Sequence, residues 1–172
     1  MNLAEKQVEL TSQLAALKNG QDRLALLVEK AKQCPPLAPE FRADENLIPG
    51  CLAKLWFVAT FRDEKCFFAC DSDSLVVKAI AGLLCDFYSG HLPAEILAHD
   101  PKFLAPLGIT QHLTPNRRNA LSKIWERIRQ FAGAHAGLNF TTRTIIYRTT
   151  VLPAAKMNCS PRARNPTSCA WS

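Results

Sequence analysis

Seven cysteines, at positions 34, 51, 66, 70, 85, 159 and 169, are the residues of this chain best suited to covalent chemistry. Their number is odd, their spacing is irregular and no C-x-x-C occurs, so a disulfide framework and a structural zinc site are both poorly supported. In a reducing compartment most of them read as packing thiols, with room for one reactive thiol. Cys51 has the unusual setting. It stands in "LIPGCLAKLW", where Pro49 restricts one backbone angle and Gly50 permits geometry closed to other residues. A thiol that must be presented, and moved, needs such a hinge. The same residues also fit a plain turn before a strand, with a small apolar side chain behind it, and by themselves they leave both readings open.

Other chemistry is sparsely represented. The chain has no glycine-rich phosphate loop, no H-E-x-x-H, no G-x-S-x-G and no dinucleotide fingerprint. His91, His99, His112 and His135 are not paired at metal-ligand spacing and read as surface or satisfied core residues. His112, in "TQHLTPNR", is set apart by lying just before a capped helix. Arg117 falls in the first turn of that helix, where a cation opposes the helix dipole. That placement suggests a carboxylate or another partner facing it, and a solvated arginine stays equally open.

The elements that must hold these groups follow from periodicity. Residues 2–17 read as a helix with Leu3, Leu10, Leu14 and Leu17 on one face. Residues 21–33 read as a second, with Leu24, Leu27, Val28 and Ala31 at helical spacing. A long proline-bearing connection, "CPPLAPEFRADENLIPG", leads to Cys51, and loops of this length are often functional. "CLAKLWFVATF" and "CFFAC" read as two strands turned by "RDEK". Cys66, Phe68 and Cys70 share one face, Phe67 and Ala69 the other; both faces are apolar, so the strand is expected to be well covered. "DSDS" offers Asp71, Ser72 and Asp73 as caps of a helix from about 73 to 88, apolar almost all round and therefore central. Gly90 ends it. Residues 92–98 and 101–107 read as short helices. Thr114 and Pro115 start a long one whose core stripe is Leu121, Ile124, Ile128 and Phe131. The fold class is α+β, a small antiparallel sheet packed against several helices.

Charge and composition bound the function. Of the 21 basic residues, five lie in residues 138–172 with no acidic one, leaving 16 basic against 15 acidic in residues 1–137. The net charge of +6 is therefore a property of the tail, and the body lacks the surplus of a nucleic-acid binder. The chain divides into a domain at 1–137 and a basic tail at 138–172, disordered by composition. The N-terminus carries no secretory pattern, and the apolar run "SLVVKAIAGLLCDF" is too short to span a bilayer, so a cytoplasmic protein without membrane contact is expected.

"NLIPGCLAKLW", "ACDSDSLVVKAIAGLL" and "LGITQHLTPNRRNAL" together, in order and spacing, resemble the SufE/CsdE family over about residues 5–134. The resemblance implies a sulfur acceptor for a SufS- or CsdA-like cysteine desulfurase in iron–sulfur cluster assembly. It implies a fold shared broadly with the IscU scaffold. Its active cysteine sits in G-C-x-S-x-V-W, which falls on Gly50, Cys51 and Trp56, with Ala53 for the usual Ser and Leu55 for the usual Val. Asp73, His112 and Arg117 match other characteristic polar positions and are expected to support partner binding. Cys51 would carry sulfur as a persulfide to an iron–sulfur scaffold complex. The chain itself would bind no metal and no cofactor, the pyridoxal phosphate belonging to the desulfurase. A homodimer is compatible with the resemblance. The competing reading is a scaffold or metal-binding assembly protein, which needs several converging ligands where this sequence offers one well-placed cysteine.

Overall fold

Side chains near the helix starts supply the first structural cues. The computed structural model describes residues 2–137, so the tail expected at 138–172 lies outside the described residues. Helix α1 (Leu3–Ala15) opens with a reciprocal cap: Asn2 Oδ1 accepts from the Glu5 amide, and Glu5 Oε2 from the Asn2 amide, both at 2.9 Å. Helix α2 (Gly20–Gln33) is capped by Asn19, which accepts from the Asp22 amide at 2.9 Å. The turn between them is tied by Arg23, whose guanidinium donates to the carbonyls of Leu14 (2.7 Å), Leu17 (2.9 Å) and Leu107 (2.6 Å). Leu14 lies in the last turn of α1, where carbonyls lose their i+4 partners, and its carbonyl also accepts from the Leu17 amide at 3.2 Å; Leu17 lies just beyond the helix. Gly20 is required here: a Cβ would lie 2.5 Å from the Gly108 carbonyl oxygen.

Strands β1 (Leu55–Arg62) and β2 (Lys65–Ser72) form a two-stranded antiparallel sheet, with Leu55 opposite Ser72 and Arg62 opposite Lys65. Asp63 and Glu64 make the two-residue turn with φ of 50° and 62°, the backbone a tight hairpin demands. The inner face joins Phe57 and Phe68, stacked at 5.9 Å, with Phe131 set edge-on to Phe68 at 5.8 Å. Coverage of the other face is less than the sequence suggests. Phe67 and Ala69 are half-buried, and the Arg62 guanidinium lies over the Phe67 ring at 4.2 Å.

Helix α3 (Leu75–Tyr88) is the centre of the core, with Ile80, Leu84, Phe87 and Tyr88 buried. It starts at Ser74, whose hydroxyl accepts from the Val77 amide, and not within Asp71–Asp73, because β2 keeps pairing as far as Ser72. Helix α4 (Pro93–Ala98) and a 3-10 segment at Pro101–Leu107 confirm the two short helical stretches. Helix α5 (Pro115–Ala136) buries Ala120, Ile124, Ile128 and Ala132, spaced four apart. Leu121 and Phe131, expected in that stripe, lie half-buried at its edges, and Trp125 stacks on Tyr88 at 5.0 Å. The α+β architecture is the one expected, a small sheet against helices. Among the described residues no helix is long and apolar enough to cross a membrane.

Candidate functional site

Cys51 does not begin a strand. Regular pairing starts at Leu55, because its partner Ser72 is the last residue of β2 before the chain turns into α3. Residues 49–54 instead form a loop closed at its base. The Ile48 amide donates to the Leu55 carbonyl at 2.8 Å, and Leu47 bridges Trp56. The far end of the loop is held at Lys54, whose carbonyl accepts from the Ser72 hydroxyl (2.7 Å) and the Asp73 amide (3.3 Å). Within the loop Gly50 has φ of +72°, a conformation that favours glycine. Cys51 is a half-buried free thiol packed against the core, and the next side chain, Leu52, is 88% exposed.

Helix α5 grips this loop from one side. The Lys123 ammonium donates to the Pro49 carbonyl, and the Asn119 amide donates to the Gly50 carbonyl at 3.4 Å. Burial pushes the Cys51 thiol up from its ordinary range, and the Lys123 ammonium opposes that. Neither Asn119 nor Lys123 is signalled as a site residue by the sequence. Their only mark is a four-residue spacing on a strong amphipathic helix, which many solvated pairs share.

The other free thiols are placed differently. Cys66 is buried and pushed up to about 12 by loss of solvent. Cys85, inside α3, is raised well above its ordinary value by burial and by a hydrogen bond with Cys70. Cys70 is half-buried in mid-strand opposite Phe57. Cys34, in the proline-bearing connection, is not a free thiol.

The supporting polar residues separate into two groups. Asp73 is exposed and is not the cap of α3, Ser74 being that cap; its amide, not its carboxylate, is what ties the loop. His112 is exposed, its ring close to Gly20 at the start of α2. Arg117 is half-buried in the first turn of α5, and the carboxylate expected opposite it is not found among the described residues. The structure therefore puts Gly50 directly at Cys51 and gives Asp73, His112 and Arg117 no side-chain bond to the loop.

The residue that sequence reasoning missed is Asp71, read there as one of three helix caps. It is 2% exposed. Its carboxylate pairs with Lys78 at 3.2 Å and Arg42 at 3.4 Å, and accepts from the Leu37 amide at 3.1 Å. Lys78 also donates to the Cys34 carbonyl at 3.0 Å, and Arg42 lies over Trp56 at 4.6 Å. One buried carboxylate thus fastens the long 34–50 connection that delivers the Cys51 loop. Its position in an apolar strand, opposite Trp56, was the available signal.

Comparison with known proteins places these observations in a family. Residues 8–132 match SufE, described as an Fe-S metabolism associated domain. Among solved structures, this chain is similar to the solution structure of a hypothetical protein from Thermus thermophilus. The two are 22% identical over 76% of this chain and 96% of that one, with a TM-score of 0.61, a likeness that shows the fold.

Proposed function

The chain belongs to the SufE family of Fe-S metabolism associated domains, and from that premise we propose that it is a sulfur carrier, taking persulfide sulfur from a cysteine desulfurase on Cys51 and passing it to an iron–sulfur scaffold. The observation that carries this reading is the setting of Cys51: a free, half-buried thiol on a six-residue loop pinned at both ends, with a positive-φ glycine before it. Such a loop can carry its thiol outward while β1, β2 and α3 stay packed.

The chemistry asked of Cys51 is thiol–persulfide exchange. Its thiolate attacks the outer sulfur of the desulfurase cysteine persulfide. A new S–S bond forms on Cys51, the partner's S–S bond breaks, and the partner's cysteine leaves as a thiolate. No electrons are gained or lost overall. The proton of the partner persulfide remains on the transferred sulfur. Burial in the resting loop keeps Cys51 protonated and inert toward small oxidants, and exposure at the partner lowers that barrier. Leu52, exposed beside it, offers the partner an apolar hold on the same loop. The reaction requires no cofactor on this chain; pyridoxal phosphate acts in the desulfurase that makes the persulfide. Asp73, His112 and Arg117 are proposed to contribute to the partner-facing surface.

The test is sulfur labelling. The protein is incubated with a cysteine desulfurase, pyridoxal phosphate and cysteine, then mapped by mass spectrometry. The expected result is a gain of one sulfur on the peptide bearing Cys51, absent in Cys51→Ser, which should melt within about 1 kcal/mol of wild type. Equal gain on another cysteine in that variant, or iron retained by the purified protein with no sulfur gain, overturns the assignment.

A further inference from the structure

Helix α5 meets the Cys51 loop through two side chains, both on its first three turns and both aimed at loop carbonyls. Lys123 bonds the Pro49 carbonyl and Asn119 the Gly50 carbonyl, so the two peptide units immediately before the thiol are both held. Gly50 has no side chain to keep the helix away: a Cβ there would lie 2.5 Å from Lys123 Nζ. The loop has no ladder pairing of its own between Ile48 and Leu55, so these bonds, together with the packing of Cys51 and Ala53 against the core, hold its middle. Among the described residues Lys123 is also the one charge that acts on Cys51, and no carboxylate opposes it there.

We propose that Asn119 and Lys123 form a clamp on α5 that keeps the Cys51 loop docked, and that Lys123 has a second task, serving as counter-charge to the Cys51 thiolate. This rests on Cys51 being the sulfur acceptor and adds how that site is regulated. Both are positioning residues: neither attacks or is attacked. The clamp opposes exposure of the thiol, while the ammonium favours its ionised form. A partner that draws the loop away exchanges the carbonyl bonds for its own, and the ammonium, freed from Pro49, can follow the anion. Loosening the clamp raises access and, by lessening burial, lowers the midpoint of thiol ionisation, whereas losing the ammonium raises the midpoint, so a neutral clamp variant and a charge-removing one tell the two effects apart.

The experiment is the pH profile of Cys51 alkylation by iodoacetamide on the full chain, read by mapping the Cys51 peptide. Its midpoint reports ionisation and its plateau at high pH reports access. Lys123→Met should raise the plateau and place the midpoint roughly half a pH unit above that of a variant that loosens the loop without removing the charge. Lys123→Arg should restore the midpoint. Asn119→Ala, which removes no charge, should raise the plateau and move the midpoint down, because freeing the loop lessens the burial that raises the thiol. A Lys123→Met protein with wild-type midpoint and plateau overturns the proposal, as does a Lys123→Arg protein that behaves like Lys123→Met, or a Lys123→Met midpoint no higher than that of Asn119→Ala. Alkylation needs no desulfurase. A protein that takes no sulfur yet shows these shifts would therefore refute the carrier reading and leave the clamp standing.

Discussion

Replacing Asp71 by Asn tests whether the buried carboxylate, and not the exposed one two residues later, organises this end of the molecule. The wild-type side chain is 3% exposed and holds two cations, Lys78 at 11% exposure and Arg42 at 37%. Asparagine keeps the shape and can still accept from the Leu37 amide, so packing changes little. The charge does change. Arg42 can turn to water, but Lys78 is left nearly enclosed, with the Cys34 carbonyl as its remaining partner among the described residues. Removing one member of a buried ion pair costs about 3–5 kcal/mol, and the half-exposed Arg42 puts this case at the lower end, about 3 kcal/mol. For a chain of this size that corresponds to a fall in melting temperature of roughly 6–12 °C. Urea unfolding followed by circular dichroism gives the free energy. The fluorescence of Trp56, which sits under Arg42, reports the local change. Asp73→Ala is the control, expected within about 0.5 kcal/mol of wild type because its carboxylate is exposed. A loss below about 1 kcal/mol for Asp71→Asn, at unchanged denaturant slope, would refute the reasoning. It would mean that the pair gains no more than its ions lost in leaving water.

Three glycines should respond differently, two by destabilising and one by stabilising. Gly20→Ala forces a Cβ to within 2.5 Å of the Gly108 carbonyl oxygen and should cost about 1–3 kcal/mol in urea unfolding. Gly133→Ala, in α5 with nothing within 4 Å of the added carbon, should stabilise by about 0.5–1 kcal/mol. Gly50→Ala must place a side chain at φ of +72° and should cost about 1–2 kcal/mol, with faster alkylation of Cys51 as the loop loosens. Asp86 is raised by burial from 3.8 to about 6, with Lys6 and Lys30 opposing. The folded state therefore binds its proton more readily than the unfolded chain, so this group favours folding increasingly as pH falls from about 6 towards 4 and penalises it above 6. Asp86→Asn should flatten stability against pH across that window and stabilise the protein at pH 7 by roughly 1–3 kcal/mol, and an unchanged pH profile would show that Asp86 is solvated.

What the sequence determined by itself was local or periodic. Apolar spacing marked α1, α2, α3 and α5, since one-face burial repeats at the helical period whatever lies opposite. "RDEK" marked the hairpin, and three motifs in register marked the family. Pro49-Gly50 singled out Cys51, because backbone permissiveness belongs to residue type. What the tertiary structure alone decided depended on partners distant in the chain. Whether Cys51 to Lys54 pair as a strand depends on where β2 ends, 21 residues downstream of Cys51 at Ser72. Whether an aspartate caps a helix or is buried in a salt bridge depends on which side of the chain faces Arg42 and Lys78. The sequence shows three neighbouring candidates in "DSDS"; only packing separates buried Asp71 from exposed Asp73. Lys123 and Asn119 are ordinary helix-surface residues until folding sets α5 against two carbonyls some 70 positions earlier. A backbone carbonyl is present at every residue, so nothing in the amino-acid pattern shows which one a side chain will meet.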